Sequence, residues 1–267
     1  MRIYRTLFIF IFLVSVFVSS APAYILRKDV RRSFEAGSSM KLRLKNRAGS
    51  VYLKGYKGDS LEINAAVKVR APSKSKAIEI FREIVFDMSK KNKEISVETD
   101  LPRLRLSGLF SYRLGVRTSI LIDYRILIPS GVNIEIFTSA GDIAAETLKD
   151  TFLLKTDVGD IDIRNSLCEN GKAEVSRGEI RCELSAPEWK GKLDLRVGSG
   201  EIYLFLNEEI SAVLTARSDK GRVELDIGDT VKPDIEEYDR AVVKFGSGQG
   251  RINLSNIRGK IIVESVK

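Results

Sequence analysis

Val158-Gly159-Asp160-Ile161-Asp162-Ile163 is one of seven places where this chain sets a glycine ahead of alternating apolar residues. The others are Ala48-Gly49-Ser50-Val51-Tyr52-Leu53, Ala140-Gly141-Asp142-Ile143, Arg177-Gly178-Glu179-Ile180-Arg181-Cys182, Ser199-Gly200-Glu201-Ile202-Tyr203-Leu204, Lys220-Gly221-Arg222-Val223-Glu224-Leu225 and Gln249-Gly250-Arg251-Ile252-Asn253-Leu254. From Gly141 to Gly221 the glycines fall 18, 19, 22 and 21 residues apart, the period of one strand–turn–strand unit in a repeat array. Two and four residues after each glycine stand pairs such as Ile161/Ile163 and Ile180/Cys182; seven and five before it stand Phe152/Leu154 and Leu193/Leu195. Alternate residues of a strand share a face, so these positions point inward together, while Asp162, Arg181, Tyr203 and Glu224 face out. The glycine supplies a corner whose backbone conformation a side chain resists. One repeat cannot bury its apolar face alone, but stacked repeats can. The pattern therefore predicts an all-β chain, a parallel β-solenoid resembling a single-stranded β-helix, with coils about 4.8 Å apart. An antiparallel β-sandwich is the alternative. The common register of the inward columns favours the solenoid.

The first residues carry a separate instruction. Arg2 and Arg5 precede the apolar run Leu7–Val18, which ends in Ser19-Ser20-Ala21-Pro22-Ala23, the pattern of a secretory signal peptide. Cleavage is expected after Ala23, with an uncleaved anchor as the alternative. The run is shorter than the roughly 20 residues of a comfortable membrane span. Residues 24–267 then form one domain: strands over 24–70, an inserted helix over 73–90, a basic loop over 101–118 and regular repeats over 119–267. The net charge of +8 falls to +6 once Arg2 and Arg5 are removed. That balance suits anionic partners in an envelope as well as plain solubility, and no nucleic-acid recognition motif accompanies it.

Two stretches break the strand pattern. From Ser73 to Lys90, Ala77, Ile80, Phe81, Ile84, Val85 and Met88 follow helical spacing behind Pro72-Ser73. This predicts an amphipathic helix on the flank or over an open end of the array. Leu101–Thr118 carries Arg103, Arg105, Arg113 and Arg117 with Phe110 and Tyr112 among them and no acidic residue. It reads as a solvated loop or as a docking surface for an anionic glycan, lipid or protein. Before the last coil, Pro233-Asp234-Ile235-Glu236-Glu237 reads as an outward loop, and Ile261-Ile262-Val263 as a closing strand.

The chain has no histidine, which removes Ser-His-Asp catalysis and histidine-ligated metal sites. The residue after the glycine is Asp142, Asp160, Glu179 and Glu201 on successive coils. Stacked about 5 Å apart, each neighbouring pair would repel by roughly 0.8 kcal/mol in water. The column is either a solvated corner or a Ca²⁺ site, and Arg222 and Arg251 break its continuation. Cys168 and Cys182 fall on neighbouring coils; they bridge if their Cα atoms come within about 7 Å, or Cys182 is simply a small buried residue. No cofactor is expected.

The run Ile122-Asp123-Tyr124-Arg125-Ile126-Leu127-Ile128-Pro129-Ser130-Gly131, then Ser139-Ala140-Gly141-Asp142-Ile143, resembles the bacterial "putative adhesin" family of β-strand-repeat domains of unknown function. The opening Leu42-Arg43-Leu44-Lys45-Asn46-Arg47-Ala48-Gly49-Ser50-Val51 does so too. The resemblance implies an envelope-associated β-solenoid without established catalytic residues. The expected function is an exported, non-catalytic scaffold in the periplasm or outer envelope that offers an extended strand surface to an envelope component. A β-solenoid polysaccharide lyase or hydrolase is the alternative, and self-association through the solenoid ends is a third expectation.

Overall fold

The computed structural model describes residues 23–37, 39–102, 118–184, 189–207, 209–228 and 231–266. Among them are 21 strands and one helix, all between Tyr24 and Val266. The repeating unit is a coil of two strands joined at a glycine. β2 (Met40–Asn46) turns at Gly49 into β3 (Val51–Tyr56), and β8 (Val132–Ala140) turns at Gly141 into β9 (Ile143–Glu146). β10 (Phe152–Val158) leads to β11 (Ile161–Arg164), β12 (Asn170–Arg177) to β13 (Ile180–Leu184), and β14 (Lys192–Ser199) to β15 (Ile202–Asn207). β16 (Ala212–Lys220) leads to β17 (Val223–Asp226), and β20 (Gly250–Arg258) to β21 (Ile261–Val266). The second strands join one 10-stranded sheet and the first strands an 11-stranded sheet. Pairing between coils is parallel and in register, as the glycine alignment requires. Ile143, Ile161, Ile180, Ile202 and Ile261 form one buried column. Truncating such a residue to alanine costs about 2–5 kcal/mol.

The corners define the stack. Gly141, Gly159, Gly178 and Gly200 all sit near φ +138. A β-carbon on any of them would lie 1.9–2.3 Å from the glycine carbonyl oxygen of the coil beneath. The column continues through Gly259, which would meet the Gly200 oxygen at 1.9 Å, and Gly221, which would meet that of Gly259 at 1.9 Å. Buried polar side chains three residues before the glycine complete the corner. Thr156 donates to the Gly141 carbonyl at 3.0 Å, Asn256 to that of Gly200 at 2.8 Å and Ser218 to that of Gly259 at 2.9 Å. Asn46 donates to the Gly49 carbonyl at 2.8 Å and that of Ile122 at 3.0 Å.

Stacking order departs from chain order. β20/β21 lies between β14/β15 and β16/β17, and β2/β3 lies beyond β8/β9. The corner of the last coil is therefore Gly259, not Gly250. Gly250 opens β20 with Trp189 packed where its side chain would be. The misreading arises because β19 (Arg240–Phe245) runs antiparallel to β16 and the chain reverses at Gly246 and Gly248, both at positive φ. The residues 233–237 expected to loop outward instead contain β18 (Pro233–Glu236), an antiparallel partner of β19. Antiparallel strands finish both ends of the 11-stranded sheet, while the 10-stranded sheet ends in the parallel strand β17 on this side.

At the other end, β4 (Ser60–Ala71) runs antiparallel to both its neighbours, β1 (Tyr24–Glu35) and β7 (Ser119–Pro129), and β7 runs parallel to β3. β6 (Glu94–Asp100) lies beside β2 and carries the edge strand β5 (Val85–Lys91). The helix α1 spans Lys74–Glu83, capped by the Ser73 hydroxyl, and packs Ala77 and Ile80 over β1 and β4. It is shorter than its sequence pattern. At Val85 the chain turns extended because Val85 to Lys91 pair with Asp100 to Glu94 of β6, and Ile84, Phe86 and Met88 satisfy a strand alternation that leaves Val85 exposed.

Gly178→Ala should lower stability by about 3 kcal/mol or more in urea unfolding, because the methyl meets backbone and the φ of +137 disfavours any β-carbon. Gly37→Ala, with nothing within 4 Å of the new carbon, should be neutral within about 0.5 kcal/mol.

A candidate binding groove on the outer face of the solenoid

The outward residues of the 11-stranded sheet form a hollow of about 600 Å³ across β10, β12, β14 and β20. Its depth comes from small residues near the corner: Ser176 and Gly198 lie side by side, and a β-carbon on Gly198 would sit 2.6 Å from the Ser176 carbonyl oxygen. Register places Lys155, Glu174, Arg196 and Ser255 in one row. Lys172, Asp194 and Asn253 make a second row.

Ion pairs within and between coils hold this face. The Lys172 Nζ lies 2.6 Å from the Glu174 carboxylate, with the Lys155 Nζ at 3.5 Å on the other oxygen. Asp194, with its side chain only 13% exposed, takes the Lys192 Nζ at 2.8 Å and a hydrogen bond from the Asn253 amide at 2.6 Å. The Lys172 hydrogen bond and charge hold the Glu174 carboxyl below its ordinary range against the opposing effect of burial. At Asp194 burial alone would raise the pKa, but Asn253, Lys192 and Arg196 outweigh it and hold the carboxyl low. Both acids are thus ionised at neutral pH. Glycoside cleavage needs one carboxyl kept protonated as a general acid, and this pair provides none. Arg196 forms no ion pair or hydrogen bond with another described residue.

The residues singled out from sequence fall elsewhere. Arg103, Arg105, Phe110, Tyr112, Arg113 and Arg117 lie outside the described residues. Asp142, Asp160, Glu179 and Glu201 do follow one another along the glycine column, and the two aspartates serve the backbone. Asp142 accepts the Asp160 N–H at 3.0 Å, and Asp160 accepts the Glu179 N–H at 2.8 Å. Asp123 does the same for Ser50 at 2.8 Å. Glu201 instead takes the Tyr203 hydroxyl, whose pKa this hydrogen bond pushes up to about 12. The column then passes to Lys260 and Arg222, in place of the expected Arg222 and Arg251, because Gly259 is the corner. Among the described residues no group of three or more Asp, Glu, His or Cys side chains is arranged to hold a metal ion. Cys168 and Cys182 are both buried as free thiols. Burial pushes the Cys168 thiol up to about 12 and Cys182 higher still, the state of inert core cysteines.

A smaller hollow of about 310 Å³ lies at the opposite edge of the stack, near Gly55, Ile128 and Leu148. Two of its polar side chains are engaged in turns: Thr147 donates to the Gly55 carbonyl and Asp150 accepts the Gly131 N–H. The groove residues were not singled out from sequence. Counted from the true corner, they stand six residues before it (Lys172, Asp194, Asn253) and four before it (Lys155, Glu174, Arg196, Ser255). That alignment is lost when Gly250 is taken as the corner.

A two-sheet solenoid whose polar outer face crosses several coils belongs to the class of β-repeat scaffolds. The chain is a member of the Toastrack DUF4097 family, which matches residues 29–264. It is similar in fold to a "putative cell adhesion protein" from Clostridium sporogenes, at 15% identity, covering 90% of this chain and 100% of that one with a TM-score of 0.50. A "putative adhesin" from Bacteroides fragilis matches at 11% identity over 90% and 97% of the two chains, TM-score 0.33. A "putative lipid binding protein" from Parabacteroides distasonis matches at 11% identity over 90% and 97%, TM-score 0.28. No curated protein matches the chain.

Because the Asp194 pKa is lower folded than unfolded, its contribution to stability is present above about pH 4 and lost as pH falls through the folded value. Asp194→Asn should therefore be clearly less stable than the parent protein at pH 7 in urea unfolding. The gap should narrow as the pH is lowered through the range below about 4.

Proposed function

We propose that the protein is an exported, non-catalytic envelope scaffold that holds an extended glycan against the outer groove of its 11-stranded sheet. The observation that carries this reading is the groove itself. It crosses four coils, and its amides, ammonium groups and carboxylates are fixed in place before any ligand arrives. Such preorganisation lowers the entropic cost of binding a flexible chain. Arg196 and Ser255 supply donors toward a hydroxylated or anionic sugar, and binding spread over several coils suits a polymer more than a small molecule. The N-terminal pattern of Arg2, Arg5 and the apolar run Leu7–Val18 supports export. The fold similarity to a protein described as a cell adhesion protein is in keeping with an envelope location. Two ionised carboxylates lack the protonated general acid that a glycoside hydrolase requires.

Residues 24–267 incubated with isolated envelope glycans should be retained without releasing new reducing ends, with or without Ca²⁺. Lys155→Ala combined with Arg196→Ala should weaken retention by about tenfold or more, from the loss of charge-assisted hydrogen bonds. Release of reducing ends would overturn the non-catalytic reading, and unchanged retention in the double variant would overturn the assignment to the groove.

A further inference from the structure

From the tip formed by β1, β4 and β7, we infer that this end of the solenoid docks on an anionic phospholipid bilayer. β7 starts at Ser119, three residues before Ile122, whose carbonyl backs the corner glycine Gly49. At strand rise the sheet thus extends about 10 Å past the corner. Two cross-strand rows occupy this extension: Ile25–Arg70–Ser119 and Arg27–Lys68–Leu121. Their side chains share the outer face, opposite the buried Val67, Val69, Ile120 and Ile122. Arg27, Lys68 and Arg70 form no ion pair with another described residue. Ile25 is 44% exposed and Leu121 37%, two large apolar side chains set among three cations. The next row, about 7 Å further from the tip, brings the carboxylates of Asp29 and Asp123, and Asp123 accepts the Ser50 N–H. Basic heads with apolar side chains between them match a headgroup layer over acyl chains.

Connectivity points to the same occupant. The apolar run Leu7–Val18 ends six residues before Tyr24, the first residue of β1, at most about 20 Å of extended chain. If the run stays in the membrane, it holds the tip at the surface. If the chain is cut after Ala23, the Tyr24 ammonium adds a further positive charge at the tip. The tip is also remote from the groove, since β1 and β4 end one sheet while β10, β12, β14 and β20 occupy the middle of the other.

The test is co-sedimentation of residues 24–267 with phosphatidylcholine vesicles and with vesicles containing about one third phosphatidylglycerol. Pelleting with the anionic vesicles alone, falling as salt is raised, is expected. Arg27→Gln/Lys68→Gln/Arg70→Gln should weaken binding by about tenfold or more, each cation contributing roughly fivefold. Arg217→Gln/Lys220→Gln/Arg240→Gln, of equal charge change at the far end of the stack, should weaken it less than about twofold. Arg196→Ala in the groove should leave it unchanged, which separates this docking from glycan retention. The inference is overturned if the parent protein ignores anionic vesicles, if its binding is insensitive to salt, or if the two triple variants lose binding equally.

Discussion

Two coils can stack through a tight corner at strand spacing only if no β-carbon stands between their backbones. Every regular corner of this protein meets that condition with glycine, and a methyl at any of Gly141, Gly159, Gly178 or Gly200 would collide with a carbonyl about 2 Å away. Hydrogen bonding then runs unbroken around the bend. The Gly141 N–H donates to the Val158 carbonyl, and two residues on the Ile143 N–H donates to that of Asp160. The two sheets are thereby parts of one ladder that turns a corner.

The side chains around the glycines follow from this constraint. Inside the bend, carbonyls are held close together and away from water, and at four of the seven corners Asn46, Thr156, Ser218 or Asn256 donates to one of them. Outside it, Asp123, Asp142 and Asp160 accept amide protons that point away from the strands. An acidic ladder that would repel itself as free charge is useful as a series of backbone acceptors. Asp142 and Asp160 are thereby part of the scaffold, and the change of the column to Lys260 and Arg222 leaves the corner intact.

The repeat made the solenoid, the inward columns and most corners readable. Ile143, Ile161, Ile180 and Ile202 fall where a period of two counted from the glycine puts them. What the repeat hid is stacking order, because parallel register is identical whether neighbouring coils are consecutive in the chain or not. Intercalation of β20/β21 moved the corner from Gly250 to Gly259, and with it went the alignment of Lys155, Glu174, Arg196 and Ser255 that forms the groove. β1 lies within the strands expected over 24–70, but its alternation is weak for another reason: as an edge strand under α1, it places Lys28 and Arg32 among its inward positions. Lys28 rests over the Phe81 ring at 5.8 Å, a tertiary contact that no local pattern announces.

Groove and tip are both consequences of the scaffold. Register stacks unlike charges into a fixed polar face in the middle of the array, while the antiparallel finish at one end carries its sheet past the corner. The central claim is that the glycine corners are as much a part of the ladder as the strands. Residue-resolved amide hydrogen exchange tests it most directly, at Gly141, Gly159, Gly178 and Gly200, which donate to Val158, Arg177, Ser199 and Arg258 at 2.9–3.1 Å. These amides should exchange as slowly as those in the centre of β10 and β12, opening only with global unfolding. Fast exchange at the glycines with the strands still protected would show that the corners are ordinary turns, and would contradict the account.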